Sequence, residues 1–372
     1  MKRVIISGGG TGGHLFPALA IADALRELEP SVELLFVGAR GRIEMERVPK
    51  AGYRIEGLDI QGLHRRITWS NLLFPVKLLK SMWKSNRIIQ EFKPHVAVGV
   101  GGYASGPLLL AAGRQGIPTV VQEQNSYPGI TNRNLGRKAV KIFVAYQGME
   151  RFFDAEKVVL AGNPVRGELL DVADKRAEGL RHFGLDAGKK TIFLTGGSLG
   201  AGTLNKSASD YLNLLKEKKV QLIWQTGRVY YPAIKESFRE NVHPDVRVLE
   251  FVDRVDLAYA AADLIIARAG AGTISELCVV GKPAILVPSP NVAEDHQTKN
   301  AMALVKEQAA LLIKDEIAAS ELIPAALDLL GNEEKQALLA GNIGRLAKPG
   351  AAREIAAMIL KIAQESTTEQ VS

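Results

Sequence analysis

The chain has 372 residues, long enough for two domains with substantial cores, and its one cysteine, Cys278, excludes an internal disulfide framework and suits a reducing compartment. Its net charge of +7 points to acidic partners such as a phosphorylated substrate or an anionic lipid surface, whereas low aromatic content and the lack of an RNP-like, zinc-finger or helix-turn-helix signature argue against nucleic acid. No signal peptide opens the sequence and no apolar run reaches membrane-spanning length.

The first element is a β-branched run, Arg3-Val4-Ile5-Ile6-Ser7, the pattern of a buried parallel strand. It feeds Gly8-Gly9-Gly10-Thr11-Gly12-Gly13-His14, with five glycines in six positions, and then a helical pattern from Leu15 to Leu28 with Pro17 in its expected first turn. So many glycines imply close backbone approach to a ligand, and the free N–H groups of such a turn suit an anion. Gly8, Gly10 and Gly13 satisfy G-x-G-x-x-G formally, but the second strand, Glu33 to Val37, carries its only acid at the end away from the loop. No Lys-Ser/Thr pair follows, which excludes a P-loop, and His14 stands where the helix starts, an unusual cap.

Further strands are expected near Ile55, Val96–Val100, Thr119–Val121 and Ile142–Val144. Gly101-Gly102-Tyr103-Ala104-Ser105-Gly106-Pro107 forms a second strand-to-helix glycine turn, and Gln122-Glu123-Gln124-Asn125 ends the next strand, so their polar groups should line one sheet edge. Between Arg65 and Arg87, Trp69, Leu72, Val76, Leu79 and Trp83 form one apolar face; Phe74, Leu78 and Met82 lie opposite, with Lys77, Lys80 and Lys84 between. Pro75 starts a new helix there. This stretch either packs on both sides or meets a membrane, and its basic flanks tip the expectation toward an anionic membrane surface through Phe74, Leu78 and Met82.

A second series begins at Thr191–Thr195, followed by Gly196-Gly197-Ser198-Leu199-Gly200-Ala201 and a helix, repeating the opening unit. Strands near Leu222–Trp224, Val246–Leu249, Leu264–Ala267 and Ala284–Val287 complete the alternation, which reads as two doubly wound α/β domains joined near Gly162-Asn163-Pro164-Val165-Arg166. Gly270-Ala271-Gly272-Thr273 opens a helix carrying Glu276, an acid that either complements the helix dipole or accepts hydrogen bonds from a ribose diol. His296 and Gln297 open another helix, as sugar readers or as capping residues.

Taken together, Gly9–His14, Gly101–Pro107, Glu123–Asn125, Gly162–Arg166, Gly196–Ala201 and Ala267–Glu276 resemble the MurG family, with a match running from residue 1 to about 350. These are the bacterial transferases that move N-acetylglucosamine (GlcNAc) from UDP-GlcNAc to lipid I, forming lipid II for peptidoglycan. The resemblance implies an α/β, GT-B glycosyltransferase fold of two Rossmann-like domains facing across a cleft. Its boundaries are then 1–163 for the acceptor and membrane-facing domain, 164–340 for the UDP-GlcNAc domain, and 341–372 for a returning helix and polar tail. It further implies that Ser198 and Arg166 contact the diphosphate, that the Val252 backbone reads uracil, and that Ala271, Gly272 and Thr273 line the phosphate loop. Glu276 would take the ribose, Gln297 the GlcNAc hydroxyls, while Thr11, Gly12, Gly13 and Asn125 reach the donor or reaction centre. Leu199 departs from the family's usual Gln.

The implied reaction is attack of the acceptor's N-acetylmuramic acid (MurNAc) 4-hydroxyl on C1 of GlcNAc with inversion, at the cytoplasmic face of the bacterial membrane. Neither metal nor cofactor is expected, because no Asp-x-Asp occurs to hold Mg²⁺ under a diphosphate. The hydroxyl proton needs a base: His14 by type and position, with Glu123 the rival carboxylate. Another GT-B enzyme (a diacylglycerol glycosyltransferase or a UDP-GlcNAc 2-epimerase) and a non-catalytic UDP-sugar-binding module are the competing readings.

Overall fold

The computed structural model describes residues 1–60, 74–240, 243–292 and 295–369. The chain divides into two compact units, Met1–Arg166 with Lys348–Ser372, and Gly167–Ala347. The first boundary falls at Arg166 rather than at residue 163. The chain rejoins the first unit at Lys348 rather than 341, because the helix Glu333–Arg345 buries Leu339 and Ile343 in the second unit's cores.

The first unit carries a parallel seven-stranded sheet of β1 (Arg3–Gly8), β2 (Glu33–Ala39), β3 (Arg54–Leu58), β4 (Val96–Gly101), β5 (Thr119–Glu123), β6 (Lys141–Val144) and β7 (Val158–Leu160), in the order β3-β2-β1-β4-β5-β6-β7. Alternation along a strand sends neighbours to opposite faces. Val4, Ile6 and Phe36 therefore pack with helix Gly12–Leu28, while Ile5, Leu35 and Val37 pack with helices Phe74–Phe92 and Ser105–Arg114. Both faces being covered, the strands read as continuous apolar runs. The C-terminal helix Ala351–Glu369 adds Ile355, Ala356, Ile359 and Ala363 to the first of these cores.

The second unit repeats the plan with β8 (Thr191–Thr195), β9 (Gln221–Gln225), β10 (Val246–Leu249), β11 (Leu264–Ala267), β12 (Ala284–Leu286) and β13 (Leu311–Leu312), ordered β10-β9-β8-β11-β12-β13 and all parallel. Its strands alternate likewise: Ile192, Leu194 and Ile266 face one core, Phe193 and Ile265 the other. In each unit the order reverses beside the first strand, so the loops after β1 and β4, and those after β8 and β11, flank a topological switch point where such sheets bind ligands.

The helix Phe74–Phe92 corrects one expectation. Leu78 and Met82, assigned to the membrane, pack against the core, while Val76, Leu79 and Trp83 are 49%, 70% and 68% exposed. The two faces are chemically alike, and what decides between them is the adjacent sheet. Lys84 is also withdrawn from the surface group, bridging Glu56 at 3.1 Å and donating to the Gly57 carbonyl at 2.8 Å. Arg65, Arg66, Trp69 and Leu72 lie outside the described residues, as does the Phe74 side chain. No helix among the described residues is long and apolar enough to cross a membrane.

Candidate active site

In the first unit, the glycine turn after β1 leads into helix Gly12–Leu28, whose N-cap Thr11 makes no side-chain capping bond and whose first turn holds no acid. Its leading N–H groups, including those of Gly12 and Gly13, lack intrahelical partners and carry the positive end of the dipole. Pro17 lies in the second turn rather than the first, since the helix starts at Gly12. The half-buried His14 ring places Nδ1 3.2 Å from the Gly9 carbonyl and 3.3 Å from Thr11 Oγ1. Gly101, at φ +113°, lies against the other side of the ring: a Cβ there would come within 2.5 Å of His14 Cδ2. The second glycine turn is thus shaped around His14.

Two further residues singled out in the sequence are Arg166 and Glu123. Arg166 holds its guanidinium 4.8 Å from the ring centre of Phe16, two residues beyond His14, by a cation–π contact. Glu123, at the end of β5, is only 1% exposed. Its carboxylate accepts from the Asn125 N–H (2.9 Å), Asn125 Nδ2 (3.1 Å), Gly129 N–H (3.2 Å) and Asn132 Nδ2 (2.9 Å). Burial raises its pKa against the lowering effect of those four donors. A carboxylate so enclosed suits holding Asn125 in place better than taking a proton from a substrate. Behind it, Gln122 Nε2 donates to Asn163 Oδ1 at 3.0 Å and Asn163 Nδ2 to the Gln124 carbonyl at 3.0 Å, tying the Gly162-Asn163-Pro164 turn to the same strand end.

The second unit gathers the other predicted residues at its strand C-termini. Ser198 is exposed on the turn after β8, between Gly197 (φ +82°) and Leu199, which is 53% exposed. Ala271, Gly272 and Thr273 begin helix Ala271–Val280, which has Gly270 as N-cap and no acid in its first turn, an open anion cradle. Glu276 lies in the second turn, too far along for a simple dipole acid, and its Oε2 accepts from Tyr259 Oη at 3.1 Å. Gln297 Oε1 accepts from the Ser289 N–H at 2.8 Å, which bends the loop after β12 toward the helix His296–Lys306. Val252 is buried, and its N–H is committed to Gln225 Oε1 at 2.9 Å, leaving its carbonyl as the backbone group for reading a base.

Several site residues escaped sequence reasoning. Gln225 links Val252 to Thr195 Oγ1, which also accepts from the Gly197 N–H, so one buried amide connects the predicted base-reading and phosphate loops. Arg268 ties the carbonyls of Val287 and Pro288 to Asp315 and Thr203, fixing the ends of β11 and β12. Glu44 escaped too, though an acid soon after a second strand was the feature sought. It stands past the strand end and returns its carboxylate to Ala39 N–H at 3.0 Å. Among the described residues no three His, Cys, Asp or Glu side chains form a metal-ligand group.

Glycosyltransferase family 28 N-terminal and C-terminal domain models match residues 4–144 and 191–354. A relative from Bacteroides fragilis, named UDP-N-acetylglucosamine–N-acetylmuramyl-(pentapeptide) pyrophosphoryl-undecaprenol N-acetylglucosamine transferase, is 54% identical over 98% of this chain and 96% of its own. The crystal structure of Acinetobacter baumannii MurG is similar at a TM-score of 0.74 and 29% identity, over 97% of this chain and all of that one. A putative UDP-N-acetylglucosamine 2-epimerase from Listeria monocytogenes shares the fold (TM-score 0.70, covering 98% of each chain) at 18% identity, so the fold is common to more than one chemistry. Two Rossmann-like units, both glycosyltransferase models and near-full-length identity converge: the chain belongs to the MurG family of GT-B glycosyltransferases.

Proposed function

We propose that the chain transfers GlcNAc from UDP-GlcNAc to the MurNAc 4-hydroxyl of lipid I, releasing UDP and forming lipid II. The observation that carries this reading is the 54% identity along nearly the whole length of a relative bearing that activity's name. The site chemistry supports it. Anion-binding helix N-termini and glycine turns occur at the switch points of both sheets, and inverting transfer builds negative charge on the leaving diphosphate.

In this reading the second unit holds the donor. Ser198, Ala271, Gly272 and Thr273 bind the diphosphate with Arg166, Glu276 accepts the ribose hydroxyls, Gln297 donates to a sugar hydroxyl, and the Val252 carbonyl accepts the uracil N3–H. Thr11, Gly12, Gly13 and Asn125 orient the reacting sugars. His14 takes the 4-hydroxyl proton as C1 is attacked from the face opposite the diphosphate, giving a β1→4 link. Glu123 acts by holding Asn125. No step needs a metal, since Arg166 and fixed N–H groups neutralise the leaving group.

The enzyme works at the cytoplasmic face of the membrane as a peripheral protein, contacting it through Val76, Leu79 and Trp83 with Lys80 beside them. Val76, Leu79 and Trp83 are exposed at helical spacing, and each basic residue near an anionic leaflet adds roughly 1 kcal/mol. UDP-GlcNAc incubated with and without lipid I tests the assignment. UDP and lipid II should form only with acceptor present; UDP-ManNAc without acceptor would mark an epimerase, and an intact donor under both conditions a binding module.

A further inference from the structure

Glu44 lies under the first glycine turn and is 1% exposed. Two glycines make room for it. A Cβ on Gly9 would fall 2.3 Å from Glu44 Cδ, and one on Gly38 2.5 Å from its Cγ. The carboxylate accepts the Ala39 N–H through Oε1 at 3.0 Å and the Gly10 N–H through Oε2 at 2.8 Å. That Gly10 N–H belongs to the same peptide unit as the Gly9 carbonyl, which stands 3.2 Å from His14 Nδ1. One amide therefore separates a buried carboxylate from the imidazole.

The chemistry of this chain of groups is directional. A carbonyl oxygen can only accept, so a bond to Gly9 requires the hydrogen on Nδ1, whereas the Thr11 hydroxyl 3.3 Å away can serve either tautomer. A carboxylate on the amide N–H pushes electron density toward the carbonyl, and bonds in such a chain strengthen one another. We propose that Glu44 is a positioning residue that acts through the Gly9–Gly10 peptide to hold His14 in its Nδ1–H tautomer, so that Nε2 carries the lone pair. A buried carboxylate orients a catalytic imidazole directly in hydrolase triads; here a peptide unit is interposed. It also explains why an acid so close to a phosphate-binding turn is tolerated: its charge is spent on two backbone N–H groups. The catalytic consequence rests on His14 being the base; the tautomer does not.

The test is ¹⁵N NMR of histidine-labelled full-length protein at a pH where the ring is neutral, with the His14 signals assigned by their loss in His14→Gln. Wild type should show a protonated Nδ1 and an unprotonated Nε2. In Glu44→Gln one carboxylate acceptor becomes an NH₂ donor facing a backbone N–H. The neutral ring should then populate both tautomers, and kcat should fall about 10–100-fold with little change in donor KM. A wild-type ring protonated at Nε2 overturns the proposal, as does a Glu44→Gln protein with unchanged tautomer and kcat. Should Glu44→Gln not fold, the wild-type spectrum decides alone. If His14→Asn keeps its kcat while the tautomer shifts as described, the base assignment fails and the Glu44 arrangement stands.

Discussion

His14 sits between the Gly9 carbonyl and the Thr11 hydroxyl on one side and the α-carbon of Gly101 on the other. Replacing it with Asn keeps a hydrogen-bonding group without basicity. His14→Asn should lower kcat by about 10²–10⁴ while UDP binding persists, because the turn's N–H groups remain; steady-state kinetics with calorimetric UDP titration check both halves. Glu276 offers a parallel case in the second unit. If Glu276 accepts the ribose hydroxyls, Glu276→Ala should weaken UDP binding by about 1.5–3 kcal/mol, whereas unchanged affinity in a folded variant would remove the ribose role. At this scale the glycines were legible in the sequence, since close packing against Gly9 and Gly101 permits no Cβ. The partners of those glycines were not. Glu44, Gln225 and Arg268 act on backbone groups of distant strands, and a bond from a side chain to a remote N–H or carbonyl leaves no periodic trace.

The helix Phe74–Phe92 shows how far element-level reading reaches. Its helical character and its start near Pro75 follow from sequence, and so does its two-faced apolar pattern, but both faces are apolar enough to be buried. Packing chose Leu78 and Met82, and left Leu79 and Trp83 outside. Paired variants separate the roles. Leu79→Ser with Trp83→Ser should weaken binding to anionic vesicles, in a salt-dependent way, without changing thermal stability. Leu78→Ser with Met82→Ser should instead destabilise the fold by roughly 2 kcal/mol or more. Vesicle sedimentation unaffected by the outer pair would remove the membrane role from this helix. The strands that went unpredicted, β7 and β13, lie at sheet edges and are only three and two residues long, too short for their apolar residues to mark a strand by pattern.

At the scale of the molecule, the duplication of strand, glycine turn and helix at Arg3 and again at Thr191 makes two doubly wound units readable in the sequence. The return of the chain to the first unit was less sharply drawn, because helices Glu333–Arg345 and Ala351–Glu369 are both amphipathic and only their partners distinguish them. Both units present glycine turns and helix N-termini at strand C-termini, and in the proposed reaction these and Arg166 carry the leaving diphosphate while His14 takes the proton. The most direct measurement is therefore the product of UDP-[¹³C]GlcNAc and lipid I in excess EDTA, with linkage and anomeric configuration read by NMR against the UDP released. The account predicts one UDP per disaccharide formed, a β1→4 linkage, and turnover that EDTA does not abolish. An α-linked product, UDP release without lipid II, or activity lost in EDTA and restored by Mg²⁺ would contradict it.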